Sequence, residues 1–396
     1  MMLSGFGIIL AFFYIFSVVN AQKYFVRLKT AKTLDTLFKF DDIAKTNNHL
    51  RDCVQKKISF GDFEGFSGDF TKDIIQKLET NPLIADITPD IIVKALDDDA
   101  VEIEPENSSK EAPRHLVRLS QQEKIQEGQA MKYHYDPEFE GQNVNAYVID
   151  TGVFVEHPEF EGRASVGADF TGSGIEDVQG HGTHVAGIIG SKTFGVAKQI
   201  NIVAVKVLDN YGTGSLSSVI EGLEYAVNHM KKSGLPGVAN LSLGAIKNSV
   251  LNNAISAAYG EGLIVVCAAG NANINACEDS PASSPFSIAV GAIDDRSDNI
   301  ASFSNWGECV NIFASGVYVE SLYNRNVYRT VLMSGTSMSS PSVAGQVGIL
   351  LSQGIDPKEI ADTLYDLSTQ DAIPSSAIDA REGTPNRLVY NGYGWD

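Results

Sequence analysis

Residues 143–152 read NVNAYVIDTG, an apolar run that closes on an acid and a turn. Its length and character fit a strand buried on both faces, with Asp150 at its carboxyl end. Four other runs fit the same element: INIVAVKVLD at 200–209, GVANLSLG at 237–244, GLIVVCAAG at 262–270 and PFSIAVGAID at 285–294. Between them lie stretches at helical spacing. In SSVIEGLEYAVNHMKK the residues Val219, Ile220, Leu223, Ala226, Val227 and Met230 form one stripe. SVLNNAISAAYGEG repeats the pattern with Leu251, Ala254, Ile255 and Ala258. This alternation predicts an α/β fold, a mostly parallel sheet with helices on both faces. Ligands bind beyond the carboxyl ends of such strands, where Asp150, Ser242 and Asn271 fall.

Two more segments carry chemistry, GHGTHVAG with His181 and SGTSMSSP with Ser337. A serine hydroxyl is a poor nucleophile until a base takes its proton, and that base needs a carboxylate to fix its tautomer. Taken singly, Asp150 reads as a polar cap, His181 as a capping or core residue, and Ser337 as a helix N-cap. Together with Asn271, whose amide can donate to a developing oxyanion, they read as a catalytic set. Ser337 is expected to open a helix running through Val343 and Val347 to Leu351, with Pro341 inside the first turn. The helix start then turns its N–H groups toward developing charge. His184 follows His181 by one turn, but there is no HExxH motif and no zinc-type cysteine cluster, so no catalytic metal and no cofactor are expected. His184 and Val185 are expected to pack against the sheet.

With these segments in the order Asp, His, Ser, residues from about 113 to 391 resemble the subtilisin-type serine endopeptidases of the proteinase K branch. VKVLDNYGTGSLS, ANLSLGA, SPASSPFSIAVGA, ASFSNW and TPNRLVYN carry the same likeness. The resemblance implies that an extended peptide lies between Leu208–Gly214 and Asn240–Ala245. It also implies that Gly212, Thr213 and Gly214 border an outer pocket. Ser242, Leu243, Gly244, Ala268, Ala269 and Gly270 would wall the pocket for the residue preceding the cut. These walls are small or apolar and lack acids, so cleavage after apolar or aromatic residues is expected rather than after paired basic ones. A Cys277–Cys309 disulfide is implied by relatives, with Cys267 a buried free thiol. Asn311 stands where relatives carry an aspartate that helps hold structural calcium, and the missing charge weakens that site. Ser342 and Ala314–Ser315 also depart from the family pattern and read as packing changes.

The rest of the chain suits a secreted precursor. Of 396 residues, 43% are hydrophobic and 20% charged, as in soluble globular proteins. A net charge of −19 excludes a nucleic-acid binder. Residues 1–21 read as a signal peptide, apolar from Met2 to Val19 and closing on Val19-Asn20-Ala21. An uncleaved anchor is the alternative. Residues 22–96 read as βαββαβ, with LIADITPDIIVKA as one last strand, which suits a small ferredoxin-like α+β domain and resembles an inhibitory propeptide. Residues 97–112 read as an exposed acidic processing linker, cut somewhere between Leu96 and Lys110, with a glycosylation sequon at Asn107. Residues 113–396 form the peptidase domain. The expected partners are protein or peptide substrates and the chain's own propeptide. No stable membrane insertion is expected once the signal is removed. The enzyme is expected to be a monomer, extracellular or at the cell surface, with a vacuole-like compartment as the alternative.

Overall fold

The computed structural model describes residues 21–38, 48–96, 101–103 and 111–393. The signal segment up to Asn20 and the sequon at Asn107 lie outside the described residues. A ten-stranded sheet forms the centre. The strand Asn145–Asp150 pairs in parallel with Asn201–Lys206 on one side and Gly237–Leu241 on the other. Ile264–Ala268, Ser287–Asp294 and Ile312–Ser315 continue outward, all parallel. All five apolar runs read as strands are therefore neighbours in one sheet. The order reverses at Asn145–Asp150, which opens a crevice at its carboxyl end.

Both faces of the sheet are covered. Tyr147 and Ile149 pack with the helices Leu216–Ser233 and Ser249–Gly260. Ala146 and Val148 turn the other way, onto the helices His181–Gly190 and Thr336–Ser352. The two predicted stripes are the buried faces of their helices. Ser215 caps the first of these at Ser218 N–H, and Gly234 ends it in the left-handed region.

The amino-terminal unit has its own antiparallel sheet, in the order Val54–Phe60, Phe63–Phe70, Gln22–Leu28, Ile84–Pro89. One face closes over Leu34, Leu37, Phe66 and Leu78. Phe25, Ile58, Phe60 and Phe63 join the core of the large unit against its two outer helices. Polar contacts edge this interface. Lys56 reaches Glu221 at 2.9 Å, and the Ser59 N–H donates to Glu224 at 2.7 Å.

Two expectations change here. The last predicted strand is two strands, because Pro89 ends Ile84–Pro89 in the small sheet and the chain then crosses to the large unit as Ile92–Ala95. The acidic stretch is not wholly linker either: Val101–Ile103 is a strand, paired with Thr330–Met333. Cys277 and Cys309 form the implied disulfide, with an S–S distance of 2.01 Å. Cys267 is buried and free, and burial pushes its thiol up to about 12. No helix among the described residues is long and apolar enough to cross a membrane.

Candidate active site

Asp150 ends its strand with its side chain fully buried, and Oδ1 lies 2.7 Å from His181 Nδ1. The same oxygen accepts from the Thr151 N–H at 2.7 Å, so the carboxylate is pinned by its own turn. His181 is the first residue of its helix, brought close by the small residue beside it. A Cβ on Gly182 would run into the Gly152 carbonyl oxygen. His184, one turn on, lies 3.1 Å from the carbonyls of Val319 and Val331 through Nε2. Burial pushes it down to about 3, so it is a neutral structural imidazole.

An acid not singled out by the sequence reading supports this pair. Asp177 is buried and accepts from Thr151 Oγ1 at 2.9 Å, Thr183 Oγ1 at 2.5 Å and the Gly180 N–H at 2.8 Å. It thus ties the turn after Asp150 to the helix that carries His181. Burial raises its carboxyl against the pull of these bonds. Lys206, also buried, donates to the Thr151 carbonyl at 2.5 Å, and burial lowers its ammonium. The only sequence signal for Asp177 is its place four residues before His181, which in a loop looks like an ordinary turn acid.

Ser337 is the second residue of the helix Thr336–Ser352. Pro341 is not in the first turn but inside this helix. It has no N–H to offer the Ser337 carbonyl, and that oxygen accepts instead from Ser242 Oγ at 2.9 Å. Asn240 and Ser340 extend the chain of bonds, Asn240 Nδ2 to Ser242 Oγ at 2.9 Å and Ser340 Oγ to Asn240 Oδ1 at 2.7 Å. The Ser337 hydroxyl donates to the Ser242 carbonyl at 3.1 Å.

Asn271 is oriented by its neighbours. Its Oδ1 accepts from the Thr336 N–H at 2.9 Å and Thr336 Oγ1 at 2.8 Å. Its amide Nδ2 therefore points outward, and it donates to the Leu96 carbonyl at 2.9 Å. Gly270 holds Thr336 in turn, its N–H 3.1 Å from Thr336 Oγ1. Ala268 and Ala269 are buried behind this turn.

The predicted groove is filled by the chain itself. Ile92–Ala95 runs antiparallel between Thr213–Ser215 and Leu243–Ile246. Lys94 is opposite both Thr213 and Gly244, Val93 is opposite Gly214, and Ala95 is opposite Leu243. The Ala95 N–H donates to the Gly212 carbonyl at 3.0 Å, and the Leu96 N–H to Ser242 at 3.4 Å. The Leu96 side chain rests on Gly244, where a Cβ would stand 2.9 Å from Leu96 Cδ1. The structure thus brings Gly212, Thr213, Gly214, Ser242, Leu243, Gly244 and Asn271 onto one segment. Asn311, at the position implied for calcium, accepts the Ala289 N–H on its Oδ1 at 2.7 Å.

A hydroxyl, an imidazole and a carboxylate at the carboxyl edge of a parallel sheet, beside an amide aimed at a carbonyl oxygen, make the class a serine hydrolase. The subtilase profile matches residues 141–394, and the chain belongs to the subtilase family of serine endopeptidases, which act on protein substrates. It is 41% identical over 409 residues to the subtilase-type proteinase RRT12 of Saccharomyces cerevisiae, covering 95% of this chain and 83% of that one. It is also 41% identical to cerevisin of the same yeast, over 84% of this chain and 54% of cerevisin. A crystal structure of a cold-adapted subtilisin-like serine proteinase superposes with a TM-score of 0.63 at 38% identity, over 71% of this chain and 98% of that one.

Proposed function

We propose that this subtilase enters the secretory pathway as a self-inhibited precursor and cuts its own chain between Leu96 and Asp97. It then hydrolyses peptide bonds after apolar or aromatic residues. The observation that carries this reading is the Leu96 carbonyl, held 2.9 Å from Asn271 Nδ2 at the end of a paired strand. Leu96 therefore lies as the residue preceding a scissile bond does, and residues 22–96 act as a propeptide that keeps the groove covered after the cut.

The residues divide the work as follows. Asp150, through Oδ1, keeps the His181 Nδ1 proton in place and stabilises the imidazolium. The Ser337 hydroxyl turns from the Ser242 carbonyl to Nε2 of His181 and gives up its proton as Oγ bonds to the substrate carbonyl carbon. Asn271 Nδ2 and the Ser337 N–H at the helix start meet the oxyanion. The imidazolium then protonates the leaving nitrogen, and water clears the acyl-enzyme by the reverse path. For Leu96 the leaving nitrogen is that of Asp97, so the mature chain begins there.

Expression of wild type beside Ser337→Ala, with intact mass and amino-terminal sequencing, tests this. Wild type should yield a chain beginning at Asp97, and Ser337→Ala should remain joined from residue 22 onward. Identical trimming of both proteins would refute self-processing.

A further inference from the structure

The chain is held on both sides of the Leu96–Asp97 bond. Upstream, Ile92–Ala95 is a strand in the groove. Downstream, Val101–Ile103 adds antiparallel to Thr330–Met333, which pairs on its other edge with Val319–Leu322. Val101 stands opposite Leu332, Glu102 opposite Val331 and Ile103 opposite Thr330. Thr330–Met333 runs into the nucleophile, since Met333 precedes Ser337 by four residues. The edge that receives Val101–Ile103 therefore belongs to the same piece of chain that presents the serine.

We infer that the Thr330–Leu332 edge is a second strand-binding site of the protease, which takes the fifth to seventh residues after the scissile bond of an extended polypeptide substrate. The inference rests on Leu96–Asp97 being the bond cut, for which Val101–Ile103 are those residues. A strand edge offers a row of N–H and C=O groups, and pairing with it reads main chain rather than side chains. The site thus extends the grip without narrowing sequence preference at those positions. Charge adds a bias. The antiparallel direction sends the bound chain toward the loop 323–329, which carries Arg325 and Arg329. The chain's own occupant segment is acidic, with Asp97, Asp98, Asp99, Glu102, Glu104 and Glu106 and no base. Substrates acidic beyond the cut are the ones it favours.

After maturation Val101–Ile103 remains attached to the enzyme and becomes a tethered competitor for this edge. Three paired residues hold it weakly, because each net hydrogen bond is small and ordering the segment opposes it.

The test uses mature wild type and a mature Val101→Pro/Ile103→Pro variant, whose tail cannot add to a ladder. Three fluorogenic peptides share one sequence up to the third residue after the cut. The first ends there, the second continues to the eighth, and the third is the second with N-methyl groups at the sixth and seventh. Neighbouring N–H groups of a strand point to opposite sides, so this pair removes whichever one faces the edge. With the proline variant, the long peptide should exceed the short one about tenfold in kcat/KM, and methylation should erase the gain. Wild type should show a smaller gain. Equal kcat/KM for long and short peptides with the proline variant, or a gain that survives methylation, overturns the site while leaving the protease reading intact. If neither enzyme cleaves any peptide, both readings fall.

Discussion

Ser337, the proposed nucleophile, is positioned through its carbonyl as much as through its hydroxyl. Because Pro341 withholds its N–H, the Ser337 carbonyl is tied to Ser242, a residue at the floor of the groove. Ser242 also takes the Leu96 N–H on its own carbonyl, so one residue holds both Ser337 and the segment in the groove. Asn271 is fixed with similar economy, its oxygen spent on Thr336 so that its amide faces the Leu96 carbonyl. Asn271→Ala should lower kcat about 10² to 10³-fold with KM little changed, a magnitude established for subtilisin rather than derived from this site. Steady-state kinetics on a peptide ending in Leu before the cut would check it. Gly244 lies under the Leu96 side chain, where even a methyl group would stand 2.9 Å from Leu96 Cδ1. Gly244→Val should lower kcat/KM after Leu or Phe at least tenfold, with cleavage after Ala reduced less. A peptide library profiled on both enzymes would show an unshifted preference if the pocket lies elsewhere.

Among the elements, those with a strong local signal are legible in the sequence itself. The five apolar strands, the two striped helices and the glycine-rich segments around Asp150, His181 and Ser337 each carry their own pattern, so short-range reading finds them. What escaped is long-range. Asp177 acquires its role only when Thr151 and Thr183 converge on it, and Val101–Ile103 becomes a strand only because an open edge lies beside it. The break after Pro89 is hidden for the same reason. The apolar run continues through it, and only the second unit pulls the chain away. Asp90 at that break has a measurable role. Its carboxylate accepts from the Ser217 N–H at 2.8 Å and Ser217 Oγ at 2.7 Å, at the start of the helix Leu216–Ser233, and pairs with Lys23 at 3.0 Å. A negative charge at a helix start is favourable, and this one is buried at the junction of the two units. Asp90→Asn should weaken the hold of residues 22–96 about tenfold. This would be read as faster appearance of activity after self-cutting and a higher inhibition constant for the released segment. An unchanged time course and constant would remove Asp90 from the interface argument.

At the scale of the whole molecule, the two units share the core on one face of the sheet, and burial on the opposite face keeps two histidines neutral. His115, 2.9 Å from the Phe194 carbonyl, is pushed down to about 4 by burial, and His184 to about 3. A free histidine titrates near 6.5, so the unfolded chain binds these protons first. Stability from both groups is present in full above about pH 6.5 and is lost as pH falls toward 4 and 3. At pH 5 the loss should be about 2 kcal/mol per histidine. Asp177, raised by burial, works in the opposite sense over its own range. Urea midpoints of the Ser337→Ala protein at pH 7 and pH 5 would measure the balance, and equal midpoints would contradict it. The groove has a consequence of another kind. With residues 92–95 gone, Thr213–Ser215 and Leu243–Ile246 are left as facing rails one strand apart. A slot of that shape admits neither a helix nor a strand still sharing its hydrogen bonds with neighbours. A target must first surrender its local architecture over several residues, so cleavage rates across a set of folded proteins will follow how often each one opens. If residues 22–96 leave as proposed, such a groove selects for unfolded segments before it selects for sequence.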